Sequence, residues 1–234
     1  MVRSEAGQGE AVLFSGGLDS AVLLASVADG VRRSGTNARV TPIYVSVGLA
    51  WERDERVIVD RLLASDVFRG VQPVVTLAFD MHDVYPPTHW AIRGEAPGFD
   101  TPDEDVYLEG RNVVLLSKAA VFMTRAELSR VSIGPLSGNP FPDATPEFFA
   151  TMSRALSLGL GSGIEIVAPF LDLHKSDVIK LGQSLGVPLA LTLSCMQPTR
   201  GLHCGQCSKC RERRDAFREA GVTDATEYAA APIR

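Results

Sequence analysis

The residues best suited to chemistry near the start of the chain form a glycine-containing loop. Residues 15–20 have the sequence SGGLDS and lie between a short apolar run and a segment of helical composition. Glycines let the backbone approach a ligand closely, and the start of a helix offers N–H groups and partial positive charge to an anion. Ser15 and Ser20 add hydroxyl donors, while Asp19 either caps the helix or holds Mg²⁺. The segment therefore predicts a phosphate-binding loop rather than a plain glycine turn with an Asp or Ser cap.

The second chemical pattern is a cysteine motif near the end of the chain. Its spacing is C-x8-C-x2-C-x2-C, and its members are Cys195, Cys204, Cys207 and Cys210. Four thiolates suffice for a tetrahedral Zn²⁺ site, and a C-x2-C turn places two sulfurs on one metal. The rival is an iron–sulfur cluster, because C-x2-C-x2-C also begins the bacterial ferredoxin pattern, although there the next Cys precedes Pro and here Arg211 follows. A disulfide within this run would be strained, and His203 is a neighbour rather than a required ligand.

The elements that must position these residues alternate between strand and helix. Apolar, β-branched runs predict strands at 11–14, 40–47, 71–79, 131–134 and 164–167. Helical composition predicts helices at 19–33, 51–68, 112–128, 146–160, 175–185 and 208–220. Thr145 is placed as an N-cap, with Pro146 at the first helical position. Repeated alternation predicts an α/β fold, a Rossmann-like parallel sheet with helices on both faces.

Two segments depart from this alternation. Residues 81–109 form an irregular stretch with four prolines, longer than a simple connector and typical of lids, binding loops or insertions. After Leu193 the pattern changes to a cysteine-bearing loop followed by a polar helix. We therefore divide the chain into an α/β domain, residues 1–193, and a small C-terminal metal-binding module, residues 194–234.

Composition narrows the class of protein. The 234 residues include 23 Lys and Arg against 28 Asp and Glu, and the net charge of −5 argues against a broad grip on nucleic acid or anionic lipid. No apolar run approaches the ~18 residues of a membrane span, and the run 11–14 is too short for a signal-peptide core. The clustered cysteines also differ from a secreted disulfide framework. We expect a cytoplasmic protein that binds small molecules, without a membrane or direct nucleic-acid partner.

The SGGLDS loop resembles the pyrophosphate-binding loop of the N-type ATP pyrophosphatases, the PP-loop superfamily. Neither a P-loop motif nor G-x-G-x-x-G occurs in the chain. The resemblance implies an adenine nucleotide alpha hydrolase-like fold and cleavage of ATP between the α and β phosphates, with AMP transferred to a substrate oxygen. Residues 169–175, PFLDLHK, support it, and it implies that Lys175 faces the departing pyrophosphate. Taken alone, Lys175 would be interpreted as a solvated lysine at a helix start.

Taken together, the loop and the cysteines resemble the 7-cyano-7-deazaguanine synthase (QueC) family over nearly the whole chain. The other matching segments are 110–117, which begins GRN, and 203–217, HCGQCSKCRERRDAF. The resemblance implies a structural Zn²⁺ on the four cysteines and a homodimer. It also implies conversion of 7-carboxy-7-deazaguanine to the nitrile with ATP, Mg²⁺ and ammonia, on the pathway to queuosine.

The same resemblance suggests roles for individual residues. The residues predicted to take part in catalysis are Asp19, Ser20, Arg111 and Lys175. The residues predicted to contact ATP are Phe14, Ser15, Gly16, Gly17, Leu18, Asp19, Ser20, Ala21, Val22, Leu23, Leu24 and Asn112. For Arg111 a surface ion pair at the start of a helix is the competing interpretation.

Departures from the family pattern concentrate on the acceptor side. Residues 47–52, VGLAWE, stand where the family often has Tyr-Gly-Gln, and Ala144 and Thr145 replace a Cys-Arg pair. Met196 replaces an aromatic residue, and the 81–109 stretch is long for the family. Three alternatives therefore stay open: a paralogue that amidates a different carboxylate, a PP-loop tRNA sulfur transferase, and a nucleotide-binding module without catalysis.

Overall fold

A computed structural model describes residues 9–230, which build one five-stranded sheet and seven α-helices. Every strand pairs in parallel, in the order β3-β2-β1-β4-β5. The strands are β1 (Glu10–Leu13), β2 (Val40–Ser46), β3 (Val75–Ala78), β4 (Arg130–Ser132) and β5 (Glu165–Val167). The predicted parallel α/β sheet is confirmed.

The helices cover both faces of the sheet. They are α1 (Leu18–Ser34), α2 (Glu52–Leu63), α3 (Trp90–Arg93), α4 (Arg111–Arg125), α5 (Pro146–Leu160), α6 (Lys175–Ser184) and α7 (Ser208–Ala220). The chain moves from β1 to β2 in one direction and from β4 to β5 in the other, so right-handed crossovers place α1 and α5 on opposite faces. Helix α6 packs against α1, and α4 packs against α5. None of the helices within residues 9–230 has the length and apolarity needed to cross a membrane.

Two predicted elements are shorter than their composition indicated. The helix predicted at 51–68 ends at Leu63, because the backbone is extended at Ser65 and a short 3-10 turn follows. That turn brings Phe68 into the core against Phe14, with ring centroids 6.2 Å apart. The strand predicted at 71–79 is regular only from Val75, beyond Pro73, which has no N–H to donate to a ladder. The predicted cap at Thr145 is confirmed, since its hydroxyl accepts the Phe148 N–H at 3.1 Å.

The 81–109 stretch contains the short helix α3, which the sequence analysis missed. Trp90 of α3 stacks on Trp51, with ring centroids 5.8 Å apart and planes inclined by 12°. Further along, Gly98 pairs with Cys207, and the Ser208 N–H donates to the Pro97 carbonyl at 3.3 Å. The stretch therefore joins the sheet domain to the cysteine region and is part of the packed structure.

Arg213 of α7 ties the cysteine region to the preceding chain. Its side chain is fully buried. The guanidinium donates to the Leu189 carbonyl at 2.7 Å and to the hydroxyls of Thr192 (2.9 Å), Ser194 (3.0 Å) and Thr226 (2.9 Å). The bonds to Leu189 and Thr192 cross the predicted boundary at residue 193, so α7 is held against the α/β domain. The two-domain division remains a prediction.

We expect Arg213→Met to lower the free energy of unfolding by about 3 kcal/mol, because it leaves several buried acceptors without donors. Urea denaturation of the metal-loaded protein measures this. Arg218→Met is the matched control: Arg218 lies on the same helix, but its side chain is 76% exposed and, within residues 9–230, pairs only with Asp215. An unchanged denaturation midpoint in Arg213→Met would contradict the role given to this network.

Candidate ATP-binding cleft and metal centre

The SGGLDS loop lies where the order of the strands reverses. Strands β1 and β4 are neighbours, yet the chain leaves β1 toward β2 and leaves β4 toward β5 on the other side. The segments that follow these two strands therefore diverge and leave a crevice at their carboxyl ends, where open α/β sheets bind ligands. Residues of both segments, including Ser15 and Gly134, line a cavity of about 300 Å³ there.

The glycines of the loop have distinct structural roles. Gly16 has φ +77°, and an added Cβ would come within 3.2 Å of Ile58 and 3.3 Å of Val59, so both the backbone conformation and the packing favour glycine. Gly17 is the N-cap of α1. Because glycine has no side chain to accept from the first-turn N–H groups, those donors are available to an anion. Ser20 Oγ donates to the Gly17 carbonyl at 3.0 Å and lies 3.4 Å from Ser15 Oγ.

Asp19 is the second residue of α1, and the cap is Gly17, so the capping alternative for Asp19 is wrong. Its Oδ2 lies 3.3 Å from Lys175 Nζ. Its Oδ1 is buried and has no hydrogen-bond partner among residues 9–230. Burial raises the pKa of the Asp19 carboxyl, although Lys175 opposes that shift. A buried carboxylate oxygen that accepts no hydrogen bond is suited to coordinate a cation.

Lys175 begins α6 and lies beside the loop, where its side chain is only 15% exposed. Its ammonium also contacts Glu212 of α7, with Nζ 2.5 Å from Oε1. Lys209 donates to Glu212 Oε2 at 2.7 Å and lies 3.3 Å from Asp103 Oδ1. Burial opposes ionisation of Glu212, but the two lysines lower its pKa to about 2. The sequence analysis missed Lys209 and Glu212, because α7 is polar on most of its surface and offers no signal that marks them.

Arg111 and Asn112 begin α4 and lie on the opposite side of the crevice. Arg111 lines the cleft, and its Nε is buried without an acceptor in the described part of the chain. The Asn112 side chain donates to the Asp143 carbonyl at 3.0 Å, and its backbone N–H donates to Asp143 Oδ2 at 3.0 Å. Asn112 thus attaches residues 142–144 to α4 at the wall of the cleft.

Glu55 is a buried carboxylate in the cleft that the sequence analysis missed. It accepts hydrogen bonds from the Tyr44 hydroxyl (2.9 Å) and the Trp51 indole N–H (3.2 Å). Burial raises the pKa of Glu55 to about 7, while Arg111 opposes the shift. A signal was available: Glu55 shares the buried face of α2 with Ile58, Val59 and Leu62, where an acidic residue requires partners.

A second cavity, of about 360 Å³, adjoins the first and shares with it the loop, Glu55 and Arg111. It extends to Lys175, Lys209 and Glu212. The predicted site residues that line one or both cavities are Phe14, Ser15, Gly17, Leu18, Asp19, Ser20, Arg111, Asn112 and Lys175. Four other predicted ATP contacts lie on α1 and are fully buried in the hydrophobic core; they are Ala21, Val22, Leu23 and Leu24.

Several of the residues that depart from the family pattern also lie at this cleft. Tyr107 of the 81–109 stretch stacks on Phe141, with centroids 4.9 Å apart, and both line the first cavity. Met196 lines the second cavity together with Trp51 and Trp90. These aromatic and apolar side chains line the two cavities together with charged residues such as Glu55 and Arg111.

The four cysteines converge, although Cys195 precedes Cys204 by nine positions. Their sulfurs all lie within 4.8 Å of one another, with individual separations of 3.5 Å (Cys207–Cys210), 3.9 Å (Cys204–Cys210) and 4.0 Å (Cys195–Cys207). Backbone N–H groups of Gln197 and Cys204 donate to the Cys195 sulfur at 3.3 and 3.2 Å. The four could hold a metal ion.

His203 stands outside this sulfur cluster. Its Nε2 accepts the Ser194 N–H at 3.0 Å, and its ring packs edge-on against Tyr228. Burial lowers the pKa of His203 to about 3, so the ring is neutral at neutral pH. The imidazole accepts a hydrogen bond from the backbone beside Cys195, as expected for a neighbour of the four cysteines rather than a fifth ligand.

Comparisons with known proteins agree with the sequence resemblance. Residues 94–221 match the family model described as queuosine biosynthesis protein QueC. The 7-cyano-7-deazaguanine synthase of Anaeromyxobacter dehalogenans is 33% identical over 93% of this chain and 94% of its own length. The enzyme of that name from Methanothrix thermoacetophila is 34% identical over 92% and 96%.

Among solved structures, a U34-tRNA thiolase from Methanococcus maripaludis, which holds a [4Fe-4S] cluster, matches with a TM-score of 0.52. It shares 14% identity, and the match covers 96% of this chain and 75% of the thiolase chain, so it shows a shared fold alone. The family-model match includes all four cysteines, and the two curated relatives each align with more than nine-tenths of this chain. The chain belongs to the QueC family of queuosine biosynthesis proteins.

Proposed function

We propose that this protein is an ATP-dependent, ammonia-using ligase that converts 7-carboxy-7-deazaguanine to 7-cyano-7-deazaguanine. The observation that carries the proposal is the SGGLDS loop at the strand-order reversal, with Asp19 and Lys175 beside it. Relatives named 7-cyano-7-deazaguanine synthase that match nearly the whole chain support the choice of substrate.

The reaction requires two activations in one cleft. In the first, the substrate carboxylate attacks the α-phosphate of ATP and pyrophosphate leaves; ammonia then displaces AMP from the acyl-adenylate and gives the amide. In the second, the amide oxygen attacks another ATP, pyrophosphate leaves again, and loss of AMP and a proton gives the nitrile. Each step needs phosphate positioning and stabilised negative charge rather than a covalent nucleophile.

The residues of the cleft are suited to these tasks. The N–H groups at the start of α1, together with Ser15 and Ser20, are donors for the leaving pyrophosphate. Lys175 supplies positive charge on the same side, and Arg111 does so from the start of α4. When bound, Mg²⁺ would screen the phosphate charge, and the unpartnered Asp19 Oδ1 fits it as a ligand.

We propose that the four cysteines hold one structural Zn²⁺. A tetrahedron with Zn–S bonds of about 2.3 Å has sulfur–sulfur edges of about 3.8 Å, and the separations of 3.5–4.0 Å fit it. A [4Fe-4S] cluster binds each cysteine to a different iron, so its sulfurs lie farther apart. When bound to one ion, the four cysteines would join the loop that contains Cys195 to the start of α7, which carries Cys207 and Cys210.

We also propose that the enzyme is a cytoplasmic homodimer that acts on small molecules. The net charge of −5 supports small substrates over nucleic acid, and four unpaired thiols fit a reducing compartment. Light scattering on the zinc-loaded protein measures the oligomeric state, and twice the 25.1 kDa chain mass is the expected result.

The test is to incubate the purified protein with 7-carboxy-7-deazaguanine, Mg-ATP and ammonium, and to follow products by mass spectrometry. We expect the nitrile together with AMP and pyrophosphate. Glutamine freed of ammonia should be inert, because a glutaminase needs a nucleophile such as cysteine, and all four cysteines lie in the metal cluster. Turnover with glutamine would contradict the nitrogen source, and amidation of a different acid alone would favour the paralogue alternative.

A further inference from the structure

Lys175 is held between two carboxylates from different parts of the chain. Its Nζ lies 3.3 Å from Asp19 Oδ2 and 2.5 Å from Glu212 Oε1, and its side chain is 15% exposed. A lysine has a flexible stem, so the location of its charge depends on its partners. If Asp19 turns toward Mg²⁺, Glu212 is the carboxylate that continues to hold Lys175 in place.

Glu212 in turn brings a second lysine to the cleft. Lys209 lies one turn earlier on α7, bonds to Glu212 Oε2 at 2.7 Å and approaches Asp103 at 3.3 Å. Lys175, Lys209 and Glu212 line the same cavity as Ser15 and Gly17 of the loop. Two lysines therefore lie along the cavity that the phosphates would enter, and Glu212 joins them.

The orientation of this pair is set by the metal-binding end of α7. Cys207 is the N-cap of the helix and Cys210 lies in its first turn, so Lys209 lies in sequence between two of the converging cysteines. Arg213 follows Glu212 directly and is fully buried among its acceptors. Rotation of α7 about its axis is thus restricted on both sides of the Lys209–Glu212 turn.

From this geometry we infer that the metal-binding helix completes the ATP site: Glu212 is a positioning residue for Lys175, and Lys209 is a second cation for the phosphates of ATP and the pyrophosphate product. The inference rests on the proposed function and deepens it. The cysteine centre then orients groups in the cleft in addition to stabilising its own region.

The test measures binding of Mg-pyrophosphate and of Mg-ATP to the zinc-loaded protein by calorimetry. Glu212→Gln should weaken pyrophosphate binding about tenfold, because a misplaced lysine loses a charge-assisted hydrogen bond. Simple electrostatics predicts the reverse, since removal of a carboxylate favours an anion. Lys209→Met should weaken binding to a similar extent. Zinc content and the KM for the acid substrate should stay unchanged in both variants.

Glu219→Gln, on the exposed far part of the same helix, is the matched control and should bind like the parent protein. If the parent binds Mg-pyrophosphate and releases it from ATP but Glu212→Gln binds equally well or more tightly, the inference is wrong. Loss of zinc from Glu212→Gln would show a merely structural role and also overturn it. If the parent neither binds nor forms pyrophosphate, the proposed function itself fails.

Discussion

Replacing Cys207 by Ser is expected to remove stoichiometric zinc and to lower the free energy of unfolding by about 4 kcal/mol or more, because structural zinc contributes folding free energy directly. Cys207 is buried, 3.5 Å from the Cys210 sulfur, and is the N-cap of α7. Metal analysis and thermal or urea denaturation measure the two effects. Because α7 carries Glu212, pyrophosphate binding should weaken as well.

Gln206→Ala is the control for the cysteine replacement. Gln206 is exposed, and its backbone N–H, which donates to the Cys204 sulfur at 3.4 Å, is retained in the variant. This variant should keep zinc and stability. A preparation of the parent protein that contains iron and labile sulfide instead of zinc, and is brown, would contradict the assigned metal and favour a cluster enzyme.

Asp19→Asn is expected to lower turnover by about a hundredfold or more, because Asn has the shape of Asp but cannot supply a charged oxygen to Mg²⁺ on the phosphates. The fold should persist, since the cap of α1 is Gly17 and not Asp19. The measurements are the rate of AMP and pyrophosphate release and the denaturation midpoint.

Asp29→Asn controls for the loss of a carboxylate from the same helix. Asp29 lies far from the loop and pairs with Arg32 and Arg33 near the end of α1, so this variant should retain full turnover. Full activity in Asp19→Asn, or accumulation of ADP in place of AMP, would rule out the role assigned to the loop. The chain has no P-loop motif, whose lysine binds the β and γ phosphates in P-loop NTPases.

Local patterns in the sequence were sufficient to predict all five strands, six of the seven α-helices and two groups of chemical residues. The alternation of apolar runs and helices predicted the parallel sheet, because strand and helix periodicities are properties of neighbouring residues. The SGGLDS loop and the C-x2-C-x2-C run are likewise contiguous. Thr145 could be identified as a cap because its partner, the Phe148 N–H, is three residues away.

Several residues that line the cleft could be identified only from the tertiary structure. Glu212 meets Lys175 across 37 positions in the chain, and Arg213 reaches Leu189 across 24. Glu55 became a cleft residue when α2 packed beside the loop and Tyr44 of β2 came within 2.9 Å of its carboxylate. A charged residue on a polar helix has the same local pattern whether it faces water or a ligand. Whether Glu212 faces water or the cleft is decided by the packing of α7 on α6, because burial and ion pairing depend on residues that are distant in sequence.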